Sequence, residues 1–95
     1  MKLSPDEIQL NGTWQLVGRK LVADPVAHRI AILTGSYLVR VCADPSGWDS
    51  LYRDPADGRF WELTYPESDV QGGGPPRLEC LSIDQVREKY GPAEV

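Results

Sequence analysis

The sequence predicts an α+β fold: an antiparallel sheet of four or five strands with one or two helices packed on one face. Short segments rich in β-branched and aromatic residues are separated by Gly and Pro turns, as in a sheet of hairpin-linked strands. Two other segments follow N-capping residues and carry apolar side chains at helical spacing. The chain has 95 residues, of which 41% are hydrophobic, so residues 1–95 suit a single domain with one core.

The first half of the chain is predicted to hold a helical turn, one strand and one helix. The helical turn begins with a capping box from Ser4 to Glu7 and ends at Asn11-Gly12. The strand is predicted over 14–22 and the helix over 25–34. The helix has the clearest signals, because Asp24 is a good N-cap and Pro25 is favoured at the first helical position. Gly35 is predicted to end it. Residues 30–33 are also compatible with a strand.

The second half is predicted to hold four strands and a final helix. The strands cover 37–43, 51–53, 59–65 and 78–83, and the helix runs from a cap at Ser82 or Asp84 to Tyr90. Turns are predicted at 44–47 and 54–58, because Asp, Pro and Gly reverse the chain, and 66–76 reads as a loop. Alternation in the fourth strand places Trp61 and Tyr65 on one face and Phe60 on the other.

The acidic residues are concentrated in one segment. Seven of the 14 lie between Asp44 and Asp69, beside two cations, so this segment has a net charge of −5 and the rest of the chain +1. One interpretation is a solvated face that keeps a small protein in solution. The other is a surface that attracts a basic partner. The cations are scattered, which argues against nucleic-acid binding.

The sequence supplies no recognisable catalytic or metal-binding motif. His28 is the one histidine of the chain, and no nucleophile motif accompanies it. Cys42 and Cys80 read as reduced apolar residues rather than a disulfide or zinc ligands. The 54–58 segment lacks the ligand spacing of a calcium loop. We therefore expect no enzyme, cofactor or metal; the absence of a signal peptide or long apolar run predicts a cytoplasmic protein without membrane contact.

Aromatic residues are concentrated in the same acidic segment. Five of the eight fall between residues 44 and 69, and Trp48 follows Gly47 in a predicted turn. Exposed aromatic side chains surrounded by carboxylates are typical of protein-binding surfaces. The alternative interpretation is that Trp48 folds over the edge of the sheet and covers the core.

An ordered series of motifs resembles a family of bacterial proteins. The motifs are GWDSLYRDP (47–55), DGR (57–59), WELTYP (61–66) and GGGPP (72–76) followed by Leu78. The chain resembles the immunity protein 27 family of polymorphic toxin systems over about residues 10–90. The resemblance implies a cytosolic protein, encoded beside a toxin, that binds the toxin's C-terminal domain and blocks it. It transfers no set of binding residues to this chain.

The charge and aromatic patterns supply the candidate partner-binding site. Trp48 is predicted to be its apolar anchor. The carboxylates predicted to face the toxin are Asp49, Asp54, Asp57, Glu67 and Asp69. Many toxins of this kind are nucleases, which are basic because they hold phosphates, so an acidic inhibitor would associate with them quickly. The rival hypotheses are a small carboxylate-dependent hydrolase and a cytosolic protein-binding adaptor unrelated to toxins.

Overall fold

The computed structural model describes residues 2–66 and 74–91. The elements follow in this order: β1 (Gln9–Asn11), β2 (Trp14–Val17), β3 (Lys20–Ala23), α1 (Pro25–Ile32), a π-helical turn (Leu33–Tyr37), β4 (Val39–Ala43), β5 (Ser50–Arg53), β6 (Phe60–Thr64), β7 (Arg77–Leu81) and α2 (Ile83–Tyr90). The predicted α+β class is confirmed. In the described part of the chain, no helix is long and apolar enough to cross a membrane.

Five strands form one antiparallel sheet in the order β1-β7-β6-β5-β4, and β2 pairs with β3 in a separate two-stranded sheet. At one end of the larger sheet, Asn11 and Thr64 both pair with Arg77. Ala43 pairs with Ser50 at that same end. The β1–β2 connection, the beginning of β7 and the β4–β5 turn therefore lie at one end of the sheet.

The residues predicted to bind a partner are divided between the two ends of the sheet. The β4–β5 turn contains Trp48, and we call its end of the sheet the Trp48 end. The β5–β6 turn begins at Asp54, and we call the opposite end the Asp54 end. Both predicted turns are confirmed.

The two helices cover opposite faces of the sheet. Tyr52 and Trp61 pair across β5 and β6, and both pack in a cluster with Ile30 of α1. Their sequence neighbours point to the other face, where Leu51 packs with Val86 of α2. The prediction of helices on one face alone was wrong, because β5 and β6 carry apolar side chains on both faces, and a helix covers those on each face.

The segment predicted as one strand over 14–22 is a hairpin. Gly18 adopts φ +65°, a left-handed conformation that is easiest for glycine, and the chain reverses between Val17 and Lys20. The N-terminal segment also differs from the prediction. The Ser4 amide donates to a Glu7 carboxylate oxygen at 2.7 Å, as in a capping box, but the chain then enters β1.

The helix caps are confirmed at both helices. The Asp24 carboxylate accepts from the Ala27 amide at 2.8 Å. Ser82 and Gln85 form a complete capping box at α2. Gly35 does not end the first helix, because the helix continues into the π-helical turn.

Several strand boundaries differ from those predicted. Tyr37 belongs to the π-helical turn and Ile83 to α2, so β4 and β7 are shorter than predicted at those ends. A bulge lies between Arg40 and Cys42. Of the predicted loop over 66–76, residues 67–73 lie outside the described residues.

A paired carboxylate holds the N-terminal segment against α1. The Arg29 guanidinium donates to both oxygens of Glu7, at 2.5 and 2.6 Å. Arg59 donates to the Glu7 carbonyl oxygen at 2.6 Å, which ties the same segment to the β5–β6 turn. The N-terminal segment is therefore fixed from two sides before the chain enters β1.

Replacing Glu7 by Gln should reduce the acid sensitivity of the protein. The hydrogen bonds from Arg29 lower the pKa of Glu7 from 4.5 to about 2. Its contribution to folding stability is therefore present above pH 4.5 and is lost as the pH falls towards 2. Because both side chains are partly exposed, we expect a contribution of about 1 kcal/mol. Urea unfolding at pH 6 and pH 2 measures it: the difference in free energy of unfolding between the wild type and Glu7→Gln should be largest at pH 6 and should nearly disappear at pH 2. An equal difference at both pH values would contradict this role.

Candidate functional site

Trp48 projects from an ordered turn at the Trp48 end. Its side chain is 74% exposed, so it does not cover the core. The Asp44 carboxylate accepts from the Ser46 hydroxyl at 2.8 Å and from the Asp49 amide at 3.2 Å, which closes the turn around Trp48. The Gly47 amide donates to the Asp44 carbonyl oxygen at 2.9 Å. These hydrogen bonds hold the backbone that presents the indole.

Asp49 belongs to a charge network between the turn and α2. The Lys89 ammonium lies 2.7 Å from an Asp49 carboxylate oxygen and 2.6 Å from a Glu62 carboxylate oxygen. The Tyr90 hydroxyl donates to the same Glu62 oxygen at 2.7 Å. Burial, together with the nearby Glu62 carboxylate, raises the pKa of Tyr90 well above its usual value. The hydrogen bonds that the Lys89 ammonium donates to Asp49 and Glu62 outweigh burial and raise the pKa of Lys89, which keeps the ammonium charged.

Asp54, a predicted partner-binding residue, is buried. Its side chain is 1% exposed, and one carboxylate oxygen accepts from the Tyr37 hydroxyl at 2.6 Å and from the Ala56 amide at 2.8 Å. The hydrogen bond to Asp54 raises the pKa of Tyr37 to about 12. The prediction that Asp54 faces a toxin is therefore corrected: its carboxylate joins the β5–β6 turn to the π-helical turn.

Asp57 is exposed but lies at the Asp54 end. It accepts from the backbone amide and the Nε of Arg59, at 3.0 and 2.7 Å. The Arg59 guanidinium lies over the Trp61 ring, 5.0 Å from its centroid. The backbone of β5 spans on the order of 17 Å between Asp49 and Asp54, at about 3.4 Å per residue over five residues. Asp57 therefore lies at the opposite end of the sheet from Asp49.

The structure therefore does not bring the six predicted residues together. It places Trp48 and Asp49 at one end of the sheet and Asp57 at the other. Glu67 and Asp69 lie outside the described residues. Asp44, which sequence reasoning assigned to a turn and not to the site, shapes the surface beside Trp48.

Sequence reasoning missed a second feature of the Trp48 end. A cavity of about 500 Å³ opens between the β1–β2 connection and the beginning of β7. Its lining residues are Asn11, Gly12, Thr13, Trp14, Pro66, Pro75, Pro76 and Arg77. The three prolines were visible in the sequence as loop residues. The strand predicted over 14–22 began at Trp14, as β2 does, but the sequence pattern did not indicate that Trp14 lines a cavity.

Among the described residues, no three His, Cys, Asp or Glu side chains are grouped so that they could hold a metal ion. The Asp49 and Glu62 carboxylates are joined through Lys89. The Trp48 end of the sheet has an exposed aromatic side chain on a fixed turn with carboxylates beside it, and a proline-lined cavity at the β1–β7 edge. Such features suit binding of another protein.

The chain is similar to a known family of proteins. A family model described as Immunity protein 27 matches residues 16–82, which are 67 of the 95 residues. The matched segment contains the hairpin from Leu16, the π-helical turn and all of β4 to β7. No curated protein and no solved structure matches the chain.

Proposed function

Because the chain belongs to the immunity protein 27 family, we propose that it binds a cognate bacterial toxin domain in the cytosol and neutralises it. A family of immunity proteins acts by binding and needs no catalytic centre. The Trp48 end is the proposed binding surface. The observation that carries this assignment is the 74% exposed Trp48 side chain on a turn that hydrogen bonds hold in place.

An exposed tryptophan on a fixed turn favours tight binding for two reasons. Burial of a large aromatic side chain is among the strongest contributions to protein interfaces, and Trp is enriched among the residues that dominate binding energy. The turn around Asp44 is already ordered, so little backbone entropy is lost when a partner binds. A solvent-exposed indole has no comparable role in the stability of the free protein.

The charge beside Trp48 favours a basic partner surface. Hydrogen bonds from Ser46 and Asp49 outweigh burial and lower the pKa of Asp44, which stays ionised at neutral pH. Asp44 and Asp49 together carry two negative charges near Trp48, and Lys89 offsets one of them. A toxin domain that holds phosphates, such as a nuclease, would present the complementary charge.

The proposal is tested by identifying the partner and then measuring protection. Tagged protein is used as bait in the native host, and mass spectrometry identifies a secreted protein whose C-terminal domain is recovered. That domain is then expressed in a heterologous bacterium with and without this chain. We expect growth arrest without the chain, growth with it, and a one-to-one complex of the purified proteins by light scattering. A toxin domain that binds but remains toxic, or a bait that recovers no secreted protein, contradicts the proposal.

A further inference from the structure

The β2–β3 hairpin exposes an unusual amount of apolar surface. Leu16 is 71% exposed and Val17 60% exposed, and the side chains of Trp14 and Val22 are also exposed. A short two-stranded ribbon is only marginally stable by itself in water. A contiguous exposed apolar surface on a small domain indicates contact with another molecule.

Both faces of the hairpin carry this apolar surface. The register pairs Leu16 with Leu21 and Gln15 with Val22, so Trp14 and Leu16 lie on one face while Val22 lies on the other. Val17 shares the face of Val22. Within the described residues, β2 and β3 pair only with each other. A flat partner surface would cover one face, whereas a cleft would cover both.

The hairpin is the basic part of an acidic chain. Residues 14–23 contain Arg19 and Lys20 and no acidic residue, so their charge is +2 in a chain whose net charge is −4. Both cations lie at the tip, in or beside the turn at Gly18. A cleft that receives this tip is complementary when it contains carboxylates.

The base of the hairpin lies at the same end of the sheet as the surface proposed to bind the toxin. Trp14 lines the cavity at the Trp48 end, together with Pro66 and Pro76. Leu16 shares the face of Trp14, so the apolar surface on that face extends from the cavity towards the tip of the hairpin. One partner can contact the hairpin and Trp48 together.

We infer that the β2–β3 hairpin inserts into a carboxylate-containing cleft of the toxin domain, where Leu16 and Val17 contact apolar walls and Arg19 and Lys20 pair with the carboxylates. This inference rests on the proposed function. A cleft with carboxylates is where many enzymes hold a metal ion or a substrate. Insertion there would block the toxin's activity directly, while the Trp48 turn would contact its rim.

Charge reversal at the tip tests the inference. Arg19→Glu/Lys20→Glu is compared with Arg40→Glu/Arg53→Glu, which makes the same change in net charge at exposed positions of the five-stranded sheet. The probe is the purified toxin domain identified in the protection experiment, and thermal unfolding of each variant verifies its fold. We expect Kd to rise at least about tenfold for the tip variant, through slower association and faster dissociation. For the control variant, Kd should rise less than about threefold. Residual toxin activity at saturating inhibitor should appear with the tip variant alone.

A second variant tests the apolar contact, and its outcomes separate the two proposals. Leu16→Ser, which removes an exposed side chain, should raise Kd at least about tenfold without lowering the melting temperature. If neither hairpin variant changes Kd while Trp48→Ala does, the hairpin inference is wrong and the proposed function stands. If no toxin domain binds the wild type, the proposed function itself fails. A wild-type dimer in sedimentation equilibrium that Leu16→Ser converts to a monomer would assign the hairpin to a second copy of this chain and overturn the inference.

Discussion

Trp48→Ala should weaken the toxin complex by at least about 2 kcal/mol, close to 30-fold in Kd. The indole is 74% exposed in the free protein, so the free energy of unfolding should change by less than about 0.5 kcal/mol. The Asp44 hydrogen bonds that close the turn involve the backbone of Asp49 and the hydroxyl of Ser46, and the substitution leaves them in place. The expected loss is therefore one of binding alone.

Isothermal titration with the toxin domain, together with urea unfolding of the free variant, measures both quantities. Ile83→Ala is the matched control, because Ile83 is also an exposed apolar side chain. It is the first residue of α2 and lies at the Asp54 end of the sheet, away from Trp48. The control should bind like the wild type. If Trp48→Ala binds with unchanged affinity, or if both variants lose affinity equally, the Trp48 end is not the interface.

The sequence predicted best those features that depend on neighbouring residues. Asp24 and Ser82 cap their helices because a cap needs only a side chain and an amide two or three residues later. The β5–β6 turn follows likewise from Pro55 and Gly58. The hairpin at Gly18 was missed because residues 14–22 have the composition of one strand, and only the glycine marks the reversal.

Features that depend on distant residues were not predictable in the same way. The acidic segment is continuous in sequence, but β5 divides it between the two ends of the sheet. Asp54 lies among turn residues that are normally exposed, and it is buried because Tyr37 reaches it from the π-helical turn. Lys89 of α2, forty residues further along the chain, offsets the negative charge of Asp49. The amino-acid composition of the segment predicts none of these contacts.

Asp54→Ala should lower the free energy of unfolding by about 2–3 kcal/mol, because it removes a buried, charged acceptor of two hydrogen bonds. The Tyr37 hydroxyl and the Ala56 amide both donate to one carboxylate oxygen of Asp54, and its side chain is 1% exposed. In a domain of this size that loss corresponds to a fall of about 10–20 °C in melting temperature. The folded fraction should still bind the toxin domain with wild-type affinity, because Asp54 lies at the end of the sheet opposite Trp48.

Asp57→Ala is the matched control, since Asp57 lies in the same turn but its ion pair with Arg59 is partly exposed. It should cost less than about 1 kcal/mol. A second measurement separates the hydrogen bond from general damage to the turn. The bond to Asp54 raises the pKa of Tyr37 to about 12, so the tyrosinate absorbance of folded Asp54→Ala should develop nearer pH 10, while Asp57→Ala should resemble the wild type. If Asp54→Ala is as stable as Asp57→Ala but binds the toxin weakly, the Asp54 carboxylate acts at the interface, as the sequence first indicated, and its hydrogen bond with Tyr37 does not stabilise the fold.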